Sequence, residues 1–146
     1  MNSLSENAVA KLLEGYNCSQ AVLCACCDRL SFEKDTALRI ASGLGAGMGR
    51  KQETCGAVTG GILALGLKHG RGEKDDRSRT EEAYAKTRKL MDQFEARHGS
   101  CNCRTLLGGC DLTTENGQRY YKANDLMHIT CVPCVQTVGT ILEDLL

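Results

Sequence analysis

The 146-residue chain has no tryptophan, a single proline and only 4% aromatic residues. Without large aromatic anchors, its core has to be built from aliphatic residues, alanine and cysteine. Acidic and basic residues balance at 18 each, so there is no electrostatic case for nucleic acid or an anionic membrane as partner. The longest apolar run, Cys55 to Leu67, is shorter than the roughly 20 residues needed to span a bilayer. The opening Met1-Asn2-Ser3-Leu4-Ser5-Glu6 lacks both a basic start and an apolar core. No signal peptide is expected there, and the expected location is cytoplasmic.

Glycine (16) and cysteine (10) are abundant instead. An even cysteine count invites a secreted disulfide framework. Long helical patterns and the missing leader favour a reducing compartment, where cysteine clusters bind metal or carry out redox chemistry. The length fits one domain over residues 1–146 with its own core.

The rest of the chain is organised around Thr54-Cys55-Gly56-Ala57-Val58-Thr59-Gly60-Gly61, which opens an apolar helix reaching about Gly70. Each internal helical glycine costs about 1 kcal/mol relative to alanine. Gly56 and Gly60 therefore imply close approach by another backbone or by a bound cofactor. Cys55 stands at the positive end of this helix, where a thiolate is favoured, and is the first candidate nucleophile. The arrangement recurs: Asn17, Thr54, Asn102 and Thr130 precede Cys18, Cys55, Cys103 and Cys131, each pair at the start of a helical pattern. Cys131-Val132-Pro133-Cys134 is in addition a C-x-x-C at a helix start, so Cys134 joins the candidates as a resolving thiol.

Around this stretch the pattern predicts an all-α bundle of about six or seven helices with the glycine-rich helix at its centre. Ser3 and Glu6 form a capping box, followed by Val9, Leu12, Leu13 and Tyr16 on one face. A second helix runs from Cys18 to about Leu30; its Cys24, Cys26 and Cys27 read as core. A third follows Ser31, with Phe32, Leu38, Ile40 and Ala41 apolar. A long helix begins at Ser78 or Thr80, with Tyr84, Thr87, Met91 and Phe94 on one face, and stops at Gly99. The last helix starts at Thr130 and buries Val135, Val138, Ile141, Leu142 and Leu145. His128 to Val132 favours β-structure locally but is too short for a sheet. Gly43 to Lys51 matches neither phosphate-binding glycine motif and reads as a loop that approaches the Cys55 site, with an anion nest at Arg50 and Lys51 as the lesser reading. His69, His98 and His128 read as surface or cap residues, and Asp111 and Glu115 as turn and cap residues.

The order Asn17-Cys18-Ser19-Gln20-Ala21-Val22, Cys55-Gly56-Ala57-Val58-Thr59-Gly60, Cys103-Arg104-Thr105-Leu106-Leu107-Gly108 and Cys131 resembles the C_GCAxxG_C_C family of redox-active proteins across nearly the whole chain. The resemblance carries over Cys18, Cys55, Cys103 and Cys131 as the characteristic cysteines, with Cys134 as the alternative to Cys131. It implies redox involvement. The family is also similar to the helical part of split-Soret cytochromes, but no C-x-x-C-H is present, since Asp28 follows Cys27 and Val135 follows Cys134. Covalent c-type haem is therefore not expected. Two chemistries follow: thiol/disulfide cycling led by Cys55, as in a thiol-based oxidoreductase, or an iron-sulfur cluster held by Cys18, Cys55, Cys103 and Cys131. Zinc ranks below a cluster because the ligands are widely separated single cysteines. A helical interaction module with structural cysteines is the third reading. The sequence names no redox partner, and its small-residue helix faces are compatible with a homodimer without requiring one.

Overall fold

A computed structural model describes residues Asn2–Leu146. Among these residues the fold is all-α, with seven helices of eight or more residues. Among the described residues there is no strand, only an isolated antiparallel bridge between Thr54 and Asn102.

Helix α1 (Leu4–Leu13) begins at the expected capping box: Ser3 Oγ accepts from the Glu6 N–H at 3.1 Å, and the Glu6 carboxylate accepts from the Ser3 N–H. Its buried stripe is Leu4, Ala8 and Leu12. Leu13 and Tyr16 were expected on that face but are exposed. The stripe is set by packing on the neighbouring helices. Ser5 backbone atoms lie where a Cβ on Gly139 would stand, and the Leu4 N–H donates to Glu143 at 2.8 Å.

Asn17 caps α2 (Cys18–Leu30), accepting from the Gln20 N–H at 2.9 Å. Cys24, Cys26 and Cys27 are buried within it, as packing residues. Glu33 caps α3 (Lys34–Ala41), whose buried side is Ala37 and Ala41, while Ile40 faces out. Helix α4 (Gly56–His69) packs against α2, α5 (Ser78–His98) and α7 (Val132–Leu145), which makes it the central helix. Leu90 and Phe94 anchor α5 in the core, Thr87 and Met91 are half-buried, and Tyr84, expected on the same face, is exposed. Helix α6 (Glu115–Ala123) is capped by Thr114 and lies outside the main core. All five apolar residues expected to be buried on α7 are buried.

The glycines of α4 serve different ends. A Cβ on Gly60 would stand 2.6 Å from the Ser19 carbonyl oxygen of α2, and one on Gly61 would stand 2.9 Å from Leu90 and Val138. Gly66 has open space around it. Gly60→Ala is therefore expected to destabilise the fold by about 1–3 kcal/mol through overpacking of the α2–α4 crossing. Gly66→Ala is expected to stabilise it by up to about 1 kcal/mol, the helix-propensity gain. Urea melts of the two variants, with opposite signs, check this assignment.

Two local expectations change. His128 to Val132 is not extended: residues Met127–Cys131 form a π-helical turn that runs directly into α7. Its β-branched residues adopt helical geometry because the turn continues a packed helix, and tertiary context overrides local preference. Thr130 is consequently not a cap. His98 is not a surface residue either; its ring stacks on Phe94 at 4.6 Å, and its Nε2 shares a hydrogen bond with Thr137 Oγ at 2.8 Å.

Candidate functional site

Four segments converge at one end of the bundle. Cap geometry places the first sulfur, with Asn17 turning the chain into α2 so that Cys18 occupies its first position. The second and third are joined by backbone pairing. Cys55 N–H donates to the Cys101 carbonyl at 2.7 Å, and Cys103 N–H donates to the Glu53 carbonyl at 2.6 Å. This pairing sets Cys55 at the N-cap of α4 beside the short turn Cys103–Leu106, which Asn102 caps by accepting from the Thr105 N–H at 2.9 Å. Thr54 forms the bridge with Asn102 and does not cap α4. The π-helical turn supplies Cys131, and α7 supplies Cys134 one turn later. Single π-helical turns recur at functional sites because the widened turn re-aims its side chains.

The result is a cavity of about 290 Å³ lined by Cys18, Cys55, Cys103, Cys131 and Cys134. It lies at the seam between the main core and a small satellite cluster of Cys103, Leu107, Cys110 and Leu112, and Cys131 packs against both. All five cysteines singled out in the sequence face this one space. Gly56 lines it too, whereas Gly60 abuts the α2 backbone. Cys101 and Cys110 point elsewhere, donating to the carbonyls of Met91 and Gly117.

Within the cavity the thiols are paired. Cys18 hydrogen-bonds Cys131, which favours the Cys131 thiolate; although burial opposes ionisation, the Tyr121 hydroxyl, 3.2 Å from Cys131 Sγ, adds a second hydrogen bond, and the Cys131 pKa falls to about 7. The cost falls on Cys18, whose pKa rises because of the same hydrogen bond and its burial. Cys134 likewise hydrogen-bonds Cys55, lowering the Cys55 pKa against the effect of burial, with further help from the N–H groups of Ala57 and Val58 at the start of α4. Cys134 is raised in turn. Cys103 has no such partner, and burial pushes it up to about 12. Each pair thus consists of one thiolate-forming sulfur and one thiol that donates to it.

Tyr121 is a site residue that the sequence did not reveal. The segment Thr114 to Leu126 has weak helical periodicity, so its inward face could not be chosen. The only signal was position, ten residues ahead of Cys131. Burial, followed by the nearby Cys131 charge, raises the Tyr121 pKa and keeps its hydroxyl protonated.

The glycine-rich segment closes the cavity from the side. Residues Ala46 to Arg50 all take positive φ, between 51° and 70°, as does Gln52 at 58°. A left-handed turn of this kind costs roughly 1–2 kcal/mol for each non-glycine residue. Glycine is required at position 47, where a Cβ would lie 2.5 Å from the Gln52 backbone. Ala46 lines the cavity, so the loop does approach the Cys55 site as expected. Strain of this kind is held only where surrounding contacts over-determine it. Here those contacts come through Gln52, which is 1% exposed; its Nε2 donates to the Cys110 carbonyl at 2.6 Å and its Oε1 accepts from the Leu112 N–H at 2.8 Å.

The cluster or zinc expectation meets a poor fit. Cys18 and Cys131 face each other, and Cys55 is engaged by Cys134. Among the described residues, no three His, Cys, Asp or Glu side chains are placed to hold a metal ion. Among the same residues, no single helix is long and apolar enough to cross a membrane.

No curated protein and no solved structure matches the chain. Residues 16–145 match the family model described as "Putative redox-active protein (C_GCAxxG_C_C)". That span takes in all five cavity cysteines, and the chain belongs to this redox-active family.

Proposed function

We propose that the protein is a dithiol/disulfide redox protein working through two pairs, Cys18–Cys131 and Cys55–Cys134. The observation that carries this reading is the convergence of five sulfurs from distant segments on one cavity, with Cys18 beside Cys131 and Cys55 beside Cys134. Oxidation of a pair joins its two sulfurs and releases two electrons and two protons. In each pair the sulfur with the lowered pKa attacks, and its partner supplies the second sulfur. Cys131 leads in place of Cys55, because it is half-buried while Cys55 is 6% exposed.

At pH 7 a thiol of pKa about 7 is half ionised, whereas one at an ordinary value near 8.5 is ionised only to a few per cent. Alkylation of the reduced protein should therefore label Cys131 first, with a rate that reaches half its limit near pH 7. Mild oxidation should remove four of the ten free thiols reversibly, and peptide mapping should return the 18–131 and 55–134 links. The same anaerobically purified sample should be assayed for iron and zinc. Stoichiometric metal that is lost when Cys55 is replaced would overturn the dithiol reading in favour of a metal centre. Unchanged thiol counts under oxidation would also overturn it.

A further inference from the structure

The cavity's lining says what kind of oxidant it takes. None of its lining residues is Asp, Glu, Lys, Arg or His; besides the sulfurs they are aliphatic, with Tyr16, Asn17, Tyr121 and Thr130 as the polar groups. An anionic substrate would lose its hydration there and meet the Cys131 thiolate with no counter-charge, a cost that excludes it. The volume, about 290 Å³, suits a small organic molecule of about ten non-hydrogen atoms and is at the low end for ligand pockets. Its rim includes the exposed residues Gly15 and Tyr16, while Cys55, Cys103 and Cys134 are buried, which favours a small molecule over a folded protein's disulfide.

Tyr121 narrows the class further. Its hydroxyl is 3.2 Å from the Cys131 sulfur. A thiolate leaving group departs without protonation, so a small disulfide would not need this hydroxyl. An alkoxide is far more basic and does need a proton donor at the reacting atoms. Building on the dithiol reading, we propose that the cavity takes small uncharged organic hydroperoxides, with Cys131 as nucleophile, Tyr121 as proton donor and Cys18 as resolving thiol. Cys131 thiolate attacks the terminal oxygen of the hydroperoxide. The O–O bond breaks, an S–OH forms on Cys131, and the departing alkoxide takes the Tyr121 proton to leave as the alcohol. The Tyr121 phenolate then deprotonates Cys18. Cys18 sulfur displaces hydroxide from the Cys131 S–OH, forming the disulfide, and the hydroxide is protonated to water by the proton that Cys131 released on ionising. Two thiols and one hydroperoxide thus give one disulfide, one alcohol and one water.

The test uses the reduced full-length protein with cumene hydroperoxide, hydrogen peroxide, glutathione disulfide and bis(2-hydroxyethyl) disulfide, a small uncharged oxidant whose thiolate leaves without protonation. Cumene hydroperoxide should give one cumyl alcohol per Cys18–Cys131 disulfide. It should outpace hydrogen peroxide by about tenfold, because its apolar part is buried on binding, and it should outpace the charged glutathione disulfide as well. Tyr121→Phe also alters the Cys131 pKa, so limiting rates are compared well above pH 7, where Cys131 is ionised in both proteins. There the substitution should slow cumene hydroperoxide by about tenfold or more and change the rate with bis(2-hydroxyethyl) disulfide by less than about threefold. Two results overturn the inference while leaving the dithiol reading intact: bis(2-hydroxyethyl) disulfide forms the Cys18–Cys131 disulfide but cumene hydroperoxide reacts no faster than with free cysteine thiolate, or Tyr121→Phe slows both oxidants equally. Failure of bis(2-hydroxyethyl) disulfide as well removes the dithiol reading itself.

Discussion

Cys131→Ser is expected to slow the first oxidation of the reduced protein at pH 7 by about tenfold or more, while Cys55→Ser costs far less. The argument rests on what remains after Cys131 is gone. A thiol whose pKa lies near 12, as burial makes that of Cys103, is ionised at pH 7 only to about one part in 10⁵. The higher intrinsic nucleophilicity of such a basic thiolate, with a Brønsted slope of about 0.4–0.5, recovers about two of those five orders. Cys18 is likewise raised. Cys55 keeps a lowered pKa, but it is 6% exposed, with Cys134 already donating to it. The residual reaction in Cys131→Ser should therefore run through the Cys55–Cys134 pair, slowly, with two rather than four of the original ten thiols lost. The initial oxidation rate and the mapped disulfides are the readouts. A Cys131→Ser rate within about threefold of the parent would return the leading role to Cys55. Cys18→Ala should show a different signature, because it removes a hydrogen bond to the Cys131 thiolate. Its alkylation midpoint moves upward from about 7, and its oxidised Cys131 has no partner sulfur.

The parts of the site legible in the sequence were those fixed locally. Asn17 and Asn102 each stand three residues before an N–H that needs an acceptor, and both cap as the spacing required. The sulfurs that follow them are aimed by those caps. The convergence of Cys18, Cys55, Cys103 and Cys131 was legible only through the fourfold repetition and the family resemblance, since no local rule brings residues so far apart in the chain together. Thr130 misled because it imitates a cap; the π-helical turn that places Cys131 has no cap, and its Ile129 and Thr130 carry strand preference. The exposed Leu13 and Tyr16 show the limit of periodicity in a ten-residue helix. Two stripes were available, and the one chosen by packing on α2 and α7 begins at Leu4. Tyr121 and Gln52 were not legible at all, because each acts through a side-chain contact with a segment that is remote or irregular.

Gln52 is the position where the fold and the site depend on each other most. Glutamine is ordinarily a surface residue, yet this one is buried and holds a positive φ. Its side chain satisfies the Cys110 carbonyl and the Leu112 N–H. Its backbone N–H donates to Ala46, and its carbonyl accepts from Arg104 at 3.2 Å. One residue thereby ties the left-handed loop, the Cys103 turn and the Leu112 segment together, and Ala46, Cys103 and Leu112 all line the cavity. Gln52→Leu keeps the volume but leaves a buried carbonyl and a buried N–H without partners. At about 1–3 kcal/mol for each unsatisfied group, the expected loss is roughly 2–6 kcal/mol in urea unfolding, a large part of the stability of a domain this size. Cys103 should also become faster to alkylate, as the wall that buries it loosens. Gln52→Glu separates hydrogen bonding from shape. Once ionised, the introduced carboxylate cannot donate to the Cys110 carbonyl, and burial raises its pKa above the unfolded value near 4.3. With the folded pKa above the unfolded one, the protonated form's contribution is fully present below about pH 4 and is lost as pH rises through the folded pKa. Gln52→Glu should therefore lie closest to the parent in stability in mild acid and fall progressively behind towards pH 7. A Gln52→Glu deficit that did not change with pH would show that the Cys110 contact carries no weight, and that the cavity wall is held by the backbone of the loop alone.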